Sequence, residues 1–205
     1  FSLDLVSQQF LNFGDSCFMP KNLSVEEFIY KDTIELSLFS EGYYFAWETC
    51  CRNAGIINID NPLSAGTTYK SEILVSDPNN GFTNLENSSP TFGFDSLMNQ
   101  YYPHNAYLCK EQEHTFNFNS VDPDGDSLVY SLITPLSSNA GGTVTYTGGY
   151  SPLNPVGGTS TFDPITGNLC VTPPSQLSGI LAIKVSEYRN GVLIGSVIRD
   201  IQINV

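Results

Sequence analysis

An acidic turn placed directly before a strand pattern is the feature of this sequence that most constrains its fold. Asp122, Asp124 and Asp126 alternate with a proline and a glycine, and the strand-like run 127–133 follows at once. Three carboxylates this close together cannot share an apolar core, because an unpaired buried charge is very costly. They are either solvated, as in an ordinary turn rich in Asp, Pro and Gly, or they share a cation. Ca²⁺ is the expected ion, because it accepts about six to eight oxygen ligands in a flexible shell.

The spacing of this turn excludes an EF-hand. Gly125 stands at the fourth position of the segment that begins at Asp122, whereas an EF-hand needs its glycine at the sixth. Ile133 occupies the twelfth position, at which that motif requires a bidentate glutamate. An acidic turn that opens a β-strand indicates an extracellular β-sandwich rather than a helical calcium sensor.

Alternating apolar and polar residues predict an all-β chain. Strands are expected at 3–13, 33–39, 43–49, 68–75, 114–119, 128–133, 143–147 and 170–172. The clearest signal is the final hairpin, in which Asn190-Gly191 joins 180–188 to 192–205, because a type I′ turn requires positive φ at both central residues. One short helix is expected at Ser24-Val25-Glu26-Glu27, where the serine and the second glutamate form a capping box.

The length of the chain is compatible with one large β domain or with two sandwiches of about 100 residues each. We expect two tandem antiparallel β-sandwich modules, with the boundary near residues 108–111. Residues 1–109 then form an N-terminal β-rich module. Residues 110–205 form a second module, an antiparallel sandwich of about seven strands.

The charge of the chain limits the partners that it can have. Its formal net charge is −13, from 8 basic and 21 acidic residues, which disfavours nucleic acid and anionic membranes because both bind basic patches. No run of about 18 apolar residues occurs, so we expect no direct membrane insertion. Phe1 is interpreted as an internal cut or a processed end, because no signal-peptide pattern follows it. The few arginines, among them Arg52, Arg189 and Arg199, are expected to pair with acids or cap carbonyls.

The five cysteines indicate disulfides in an exported protein. They are Cys17, Cys50, Cys51, Cys109 and Cys170, and the absence of a C-x-x-C pair argues against a zinc site. Adjacent Cys50 and Cys51 would point to opposite faces of a strand and would therefore have different partners. We predict that Cys109 pairs with Cys170 and that Cys17 pairs with Cys50 or Cys51, which leaves one thiol over.

Several segments occur in a distinctive order. They are Cys50-Cys51-Arg52-Asn53, Asn87-Ser88-Ser89-Pro90, Cys109, the acidic turn, Phe162-Asp163-Pro164-Ile165-Thr166-Gly167, Glu187-Tyr188-Arg189-Asn190-Gly191, Ile194-Gly195 and Arg199-Asp200-Ile201-Gln202. Over roughly residues 30–205 this order resembles a module of large surface proteins of the Bacteroidetes, which are exported by the type IX system and associated with gliding motility. The second half is also similar to the cadherin-like, Ig-like sandwich group. The resemblance implies an adhesive or spacer module at the cell surface or outside the cell, often loaded with Ca²⁺.

The same resemblance adds a fourth acid to the predicted calcium site. Glu187 stands before the last turn, where the cadherin-like group usually has an aspartate, and a glutamate can still coordinate Ca²⁺. The turn before the second strand and the end of the penultimate strand often meet at one pole of such folds. We therefore expect Glu187 to join Asp122, Asp124 and Asp126 around one Ca²⁺.

Three Asp-Ser/Thr-aliphatic triplets resemble the O-glycosylation acceptor of secreted Bacteroidetes proteins. Their hydroxyl residues are Thr33, Ser96 and Ser127. We rank Ser96 first, because the residues around it have the composition of a loop.

The sequence favours a non-catalytic role, because it contains no nucleophile elbow, zinc-protease motif or phosphate-binding loop. We expect adhesion, spacing or assembly, with other modules of the same chain, other surface proteins or glycans as partners. The alternative is a carbohydrate-binding or glycan-hydrolysing ectodomain. The aromatic cluster Tyr43, Tyr44, Phe45 and Trp47 suits a sugar-binding face, although strand alternation places half of it in the core.

Overall fold

Fourteen β-strands and one 3-10 turn, Pro62–Ser64, form the regular structure of the described residues. The structure is a computed structural model that describes residues 3–10, 26–36, 42–74, 87–95, 100–101, 107–138 and 141–205. The strands are β1 Asp4–Phe10, β2 Glu26–Lys31, β3 Tyr43–Thr49, β4 Thr67–Ile73, β5 Thr91–Phe92, β6 Phe94–Asp95, β7 Gln100–Tyr101, β8 His114–Asn117, β9 Ser120–Val121, β10 Ser127–Ile133, β11 Thr159–Phe162, β12 Asn168–Thr172, β13 Ser178–Arg189 and β14 Val192–Asn204. The all-β prediction is confirmed for this part of the chain. Across these same residues, no helix has the length and apolar character needed to cross a bilayer.

The largest sheet has five antiparallel strands in the order β10-β13-β14-β4-β3. Its centre is the hairpin of β13 and β14, which are 12 and 13 residues long. The hairpin turns at Asn190 and Gly191, whose φ angles of 52° and 78° are both positive, as a type I′ turn requires. The predicted position of this turn is confirmed.

A three-stranded sheet, in the order β11-β12-β8, supplies the partner face of the main core. Leu169 and Val171 of β12 and Phe116 of β8 point inward and pack with residues of β13. The fully enclosed side chains of this core include Phe118, Leu169, Val171, Leu181, Ile183, Val185 and Ile203. Two sheets with a shared apolar interior make a sandwich-like architecture. Seven strands lie between residues 111 and 205, but one of them, β9, pairs with β5 outside these two sheets.

The opposite face of the large sheet is covered by irregular segments rather than by a sheet. Ile56 and Ile59 come from the connection between β3 and β4, and they pack with Val144 against Ile180 of β13. The buried side chain of Asn58 fixes this connection, because it bonds both the backbone N–H and the carbonyl of Ile180 at 3.0 and 2.8 Å. The strand β13 is therefore covered on both faces, which explains its long run of buried residues.

The strand pairings do not follow the predicted division at residues 109 and 110. Lys70 to Ile73 of β4 pair with Gly195 to Ile198 of β14, so one sheet contains strands from both sides of that boundary. The arrangement of two tandem sandwiches is not confirmed. The reason is that alternation within a strand indicates its buried face but not which strand it pairs with.

The N-terminal segment also differs from the expectation. The helix predicted at Ser24-Val25-Glu26-Glu27 is wrong in its described half, because Glu26 and Glu27 begin β2, which pairs with β1. Ser24 itself lies outside the described residues. Residues 32–36 carry no strand, so the strand expected at 33–39 is not found in its described part. Capping signals are short, and pairing with a neighbouring strand overrides them here.

Candidate cation site

The acidic turn lies between β9 and β10, and its own backbone holds it closed. One carboxylate oxygen of Asp122, Oδ1, accepts the N–H groups of Asp124 and Asp126 at 2.9 and 3.0 Å. Gly125 takes a φ of +81° and donates its N–H to the Asp122 carbonyl. A residue with a Cβ rarely adopts this φ, so the glycine allows the tight turn.

The turn brings three carboxylates together. One oxygen from each of Asp122, Asp124 and Asp126 lies within 4.8 Å of the other two. Ca²⁺ bonds its oxygens at about 2.3–2.6 Å, so oxygens on opposite sides of one ion are about 5 Å apart. The spacing of the three carboxylates therefore fits a single Ca²⁺.

Glu187 of β13 lies next to this turn, and it is the most unusual group of the site. Its exposed fraction is 0%, and neither of its carboxylate oxygens has a hydrogen-bond partner among the described residues. Oδ2 of Asp122 is likewise buried without a partner in this part of the chain. Buried polar atoms normally have partners, so three acidic oxygens at one place without a partner in the described part of the chain make these residues suitable ligands for a cation.

Gly195 makes the space that the Glu187 carboxylate occupies. It pairs with Glu187 across β13 and β14, and a Cβ added to it would lie 2.8 Å from Oε2 of Glu187 and 3.0 Å from the Glu72 carbonyl oxygen. A larger residue would therefore displace the carboxylate. Gly195 belongs to a segment of the resemblance, Ile194-Gly195, but nothing in the sequence indicates its contact with Glu187.

Arg189 neutralises part of the acidic cluster. Its Nε donates to both oxygens of Asp126 at 2.9 and 3.2 Å, and its Nη2 lies 3.7 Å from Asp124. These contacts lower the pKa of Asp126 below its ordinary value. The expectation that arginines pair with acids is confirmed here and for Arg52, which binds Asp200.

Two residues from a distant segment close the site, and sequence reasoning missed both. Asn87 accepts a hydrogen bond from Arg189 through Oδ1 at 3.0 Å, while its buried Nδ2 approaches Glu187 without making a hydrogen bond. The N–H of Ser88 donates to Asp124 at 2.6 Å. Asn, Ser and Pro at 87–90 are typical of a turn, and a turn does not predict the contact across the fold.

The free energy of unfolding of the metal-free protein should fall as the pH rises through the titration of Glu187. Burial, followed by the charges of Asp122 and Asp126, raises the pKa of Glu187 from 4.5 to about 7. Between these values the unfolded chain has lost the proton that the folded chain still holds, so stability decreases as pH increases. Thermal melts in chelator across this range should show the decline in the wild type and a flatter curve in Glu187→Gln. If stability falls equally steeply with pH in the wild type and in Glu187→Gln, the decline does not come from Glu187.

The cysteine predictions are wrong where the structure describes them. Cys50 and Cys51 are bonded to each other across a cis peptide bond, which leaves neither for Cys17, a residue outside the described part. Cys109 is disulfide-bonded and Cys170 is free, so these two do not pair. Strand β3 ends at Thr49, so alternation does not apply to the vicinal pair. Leu169 and Val171, the neighbours of Cys170, point into the core, so the side chain of Cys170 lies on the opposite face of the sheet. There it contacts the hydroxyl of Thr115 on the neighbouring strand.

The candidate glycosylation residues are only partly described. Thr33 and Ser127 are exposed, and Ser127 opens β10 directly after the acidic turn. Ser96 lies outside the described residues. Modification at these positions stays a prediction.

No protein-family model matches this chain, and comparisons with curated proteins and with solved structures likewise gave no match. The similarity to the Bacteroidetes surface module and to cadherin-like sandwiches therefore stays a prediction.

Proposed function

We propose that this chain is a non-catalytic module of a secreted or cell-surface, adhesin-like protein, and that Ca²⁺ stabilises it for adhesion, spacing or assembly. The observation that carries the proposal is the buried Glu187 carboxylate beside the acidic turn. Three clustered aspartates, with Glu187 beside them, lie near one guanidinium, so the site keeps a net negative charge after Arg189 has paired with Asp126. A divalent cation bound by oxygens is the group that satisfies both the charge and the unpaired atoms.

The individual oxygens suggest how Ca²⁺ would be held. Glu187 offers two oxygens and Asp122 offers Oδ2, none of which is bonded to a described residue. Asp124 and Asp126 each accept hydrogen bonds already, but a carboxylate oxygen has further lone pairs for a metal. The ion would tie the turn before β10 to the end of β13. Such a link restrains one end of the sandwich, which is useful in a spacer under load.

Two further observations support a place outside the cell and contact with other proteins. Of the four cysteines that the structure describes, three are in disulfides, which persist in oxidising compartments. Large apolar side chains are exposed on β1 to β3, among them Val6, Phe10 and Tyr44 at 61%, 69% and 67%. Exposed apolar surface of this kind is typical of contact sites. Neighbouring modules of the same chain or other surface proteins are the partners that we propose.

Ca²⁺ should raise the melting temperature of the protein, and chelator should lower it. A ligand at about 100 times its Kd adds about 2.7 kcal/mol to the free energy of unfolding. In a chain of this size each kcal/mol shifts Tm by about 2–4 °C, so we expect a rise of about 5–10 °C in millimolar Ca²⁺. The measurement is a thermal melt by circular dichroism at constant ionic strength.

Two variants test whether the rise of Tm in Ca²⁺ arises at the candidate cation site. Glu187→Gln should remove most of the Ca²⁺ response and at the same time stabilise the metal-free protein by about 1–3 kcal/mol, because an unpaired buried charge is gone. Glu113→Gln changes an exposed glutamate outside the site and should respond to Ca²⁺ as the wild type does. The proposal fails if Ca²⁺ leaves Tm unchanged, or if Glu187→Gln keeps the full response.

A further inference from the structure

A cavity of about 190 Å³ lies where β4 separates from β14. The two strands pair only as far as Lys70 and Ile198, and beyond this point they diverge. The segment after β3 enters the gap and fills part of it with Arg52. The remaining space is lined by residues that include Asn53, Thr67, Tyr69, Asp200 and Gln202. Asn53 is exposed, so the cavity opens to solvent there.

The wall of this cavity carries polar groups whose hydrogen-bonding capacity is not used. Arg52 has five N–H donors, of which four bond Asp200 and the carbonyls of Gly66 and Leu136. Within the described residues its second Nη1–H has no acceptor.

Three neighbouring side chains add to this set. Gln202 donates through Nε2 to Asn204 at 3.1 Å, but its Oε1 accepts nothing from the described chain. The hydroxyl of Thr67 and the side-chain amide of Asn53 also have no bond to a described residue, although Thr67 is buried. Donors, acceptors and a hydroxyl thus converge on one space, and a ligand rich in hydroxyl groups can form hydrogen bonds with all of them.

The charge of the cavity favours a neutral ligand. Arg52 and Asp200 form a bidentate pair whose side chains are only 4% and 3% exposed, so each neutralises the other. An ionic ligand would meet no excess charge here. The polar groups therefore select for hydrogen bonding rather than for charge.

One aromatic side chain, Tyr69, borders this mostly polar cavity. Tyr69 lines the cavity and stacks on Trp47 of the neighbouring strand, with ring centroids 5.5 Å apart. Trp47 is 61% exposed, so the aromatic surface continues from the cavity to the outside. A pyranose ring presents hydroxyl groups on its edge and C–H groups on its faces, which matches a mostly polar lining with one tyrosine at its border. Drug-sized ligands need about 300–1,000 Å³, so this space takes a smaller group, such as one sugar ring.

We propose that the cavity between β4 and β14 binds a single neutral pyranose residue of a glycan. The hydroxyl groups of the sugar bond Arg52, Asn53, Thr67 and Gln202, and its ring packs on Tyr69. This binding is independent of the calcium site, which lies among other residues.

Trp47 provides a direct test, because it is the single tryptophan of the chain. The wild type is titrated with the methyl glycosides of glucose, galactose, mannose and N-acetylglucosamine up to tens of millimolar, with Ca²⁺ present throughout. Acyclic sorbitol at equal concentration controls for solvent effects. We expect a saturable change of Trp47 emission with at least one glycoside and none with sorbitol.

Variants assign the signal to the cavity. Asn53→Ala and Gln202→Leu should each weaken the binding by about three- to tenfold, the value of one lost hydrogen bond. Gln112→Ala changes an exposed residue outside the cavity and should bind as the wild type does. A flat response to all four glycosides overturns the proposal, as does an equal response to sorbitol or unchanged binding in both cavity variants. None of these results depends on whether Ca²⁺ stabilises the protein.

Discussion

Arg52→Met is expected to lower the free energy of unfolding by about 3–5 kcal/mol, because it leaves the buried Asp200 carboxylate without its counter-charge. Nη1 and Nη2 of Arg52 donate to the two oxygens of Asp200 at 3.0 and 2.6 Å. Burial raises the pKa of Asp200, although Arg52 opposes the shift. The variant also removes the bonds to Gly66 and Leu136, which hold the connections between strands. For a chain of this size the loss corresponds to a fall in Tm of about 6–20 °C.

The double variant Arg52→Met with Asp200→Leu separates the buried charge from the lost contacts. Replacing both partners of a buried pair by apolar residues is often close to neutral, so the double variant should recover at least half of the loss. Lys70→Met is the matched control, because Lys70 forms a partly exposed pair with Glu72 at 2.6 Å. Lys70→Met should lower the free energy of unfolding by less than about 1 kcal/mol. If Arg52→Met and Lys70→Met lower the free energy of unfolding equally, the buried pair contributes no more to stability than the partly exposed one.

Asn58→Leu is expected to lower the free energy of unfolding by about 3–5 kcal/mol, because it leaves buried backbone groups of two segments without hydrogen-bond partners. Asn58 is fully enclosed and bonds the N–H and the carbonyl of Ile180 and the carbonyl of Pro155. Leucine supplies the volume but none of these bonds. Urea unfolding should show a lower midpoint with an unchanged slope, and hydrogen exchange at the Ile180 amide should accelerate.

Asn117→Ala is the control for this prediction. Asn117 is exposed, and its side chain accepts one hydrogen bond, from the N–H of Asn119 at 2.8 Å. Loss of this hydrogen bond should lower the free energy of unfolding by about 1 kcal/mol or less. If Asn58→Leu is no more costly than Asn117→Ala, the connection between β3 and β4 is not fixed by Asn58.

Half of the candidate cation site could be predicted from the sequence. The acidic turn is a local pattern, so its three aspartates were found from their spacing, and Glu187 followed from the resemblance. Arg189 was expected to bind acids, but its partner Asp126 lies 63 residues away and was not named. Asn87 reaches the site from 102 residues before Arg189. Contacts over such distances leave no local signal, because they depend on how strands are ordered in the sheet.

The sequence by itself determined the features that depend on neighbouring residues. Strand β3 was predicted with its observed bounds, and the final hairpin with its observed turn, because alternation and turn chemistry act within a few residues. The tertiary structure alone decided that β4 pairs with β14, that Cys50 bonds Cys51, and that Arg52 reaches Asp200, 148 residues along the chain. Each of these outcomes depends on which buried surfaces meet when the sheets assemble. Many pairings satisfy the same alternation, and packing in three dimensions selects one of them.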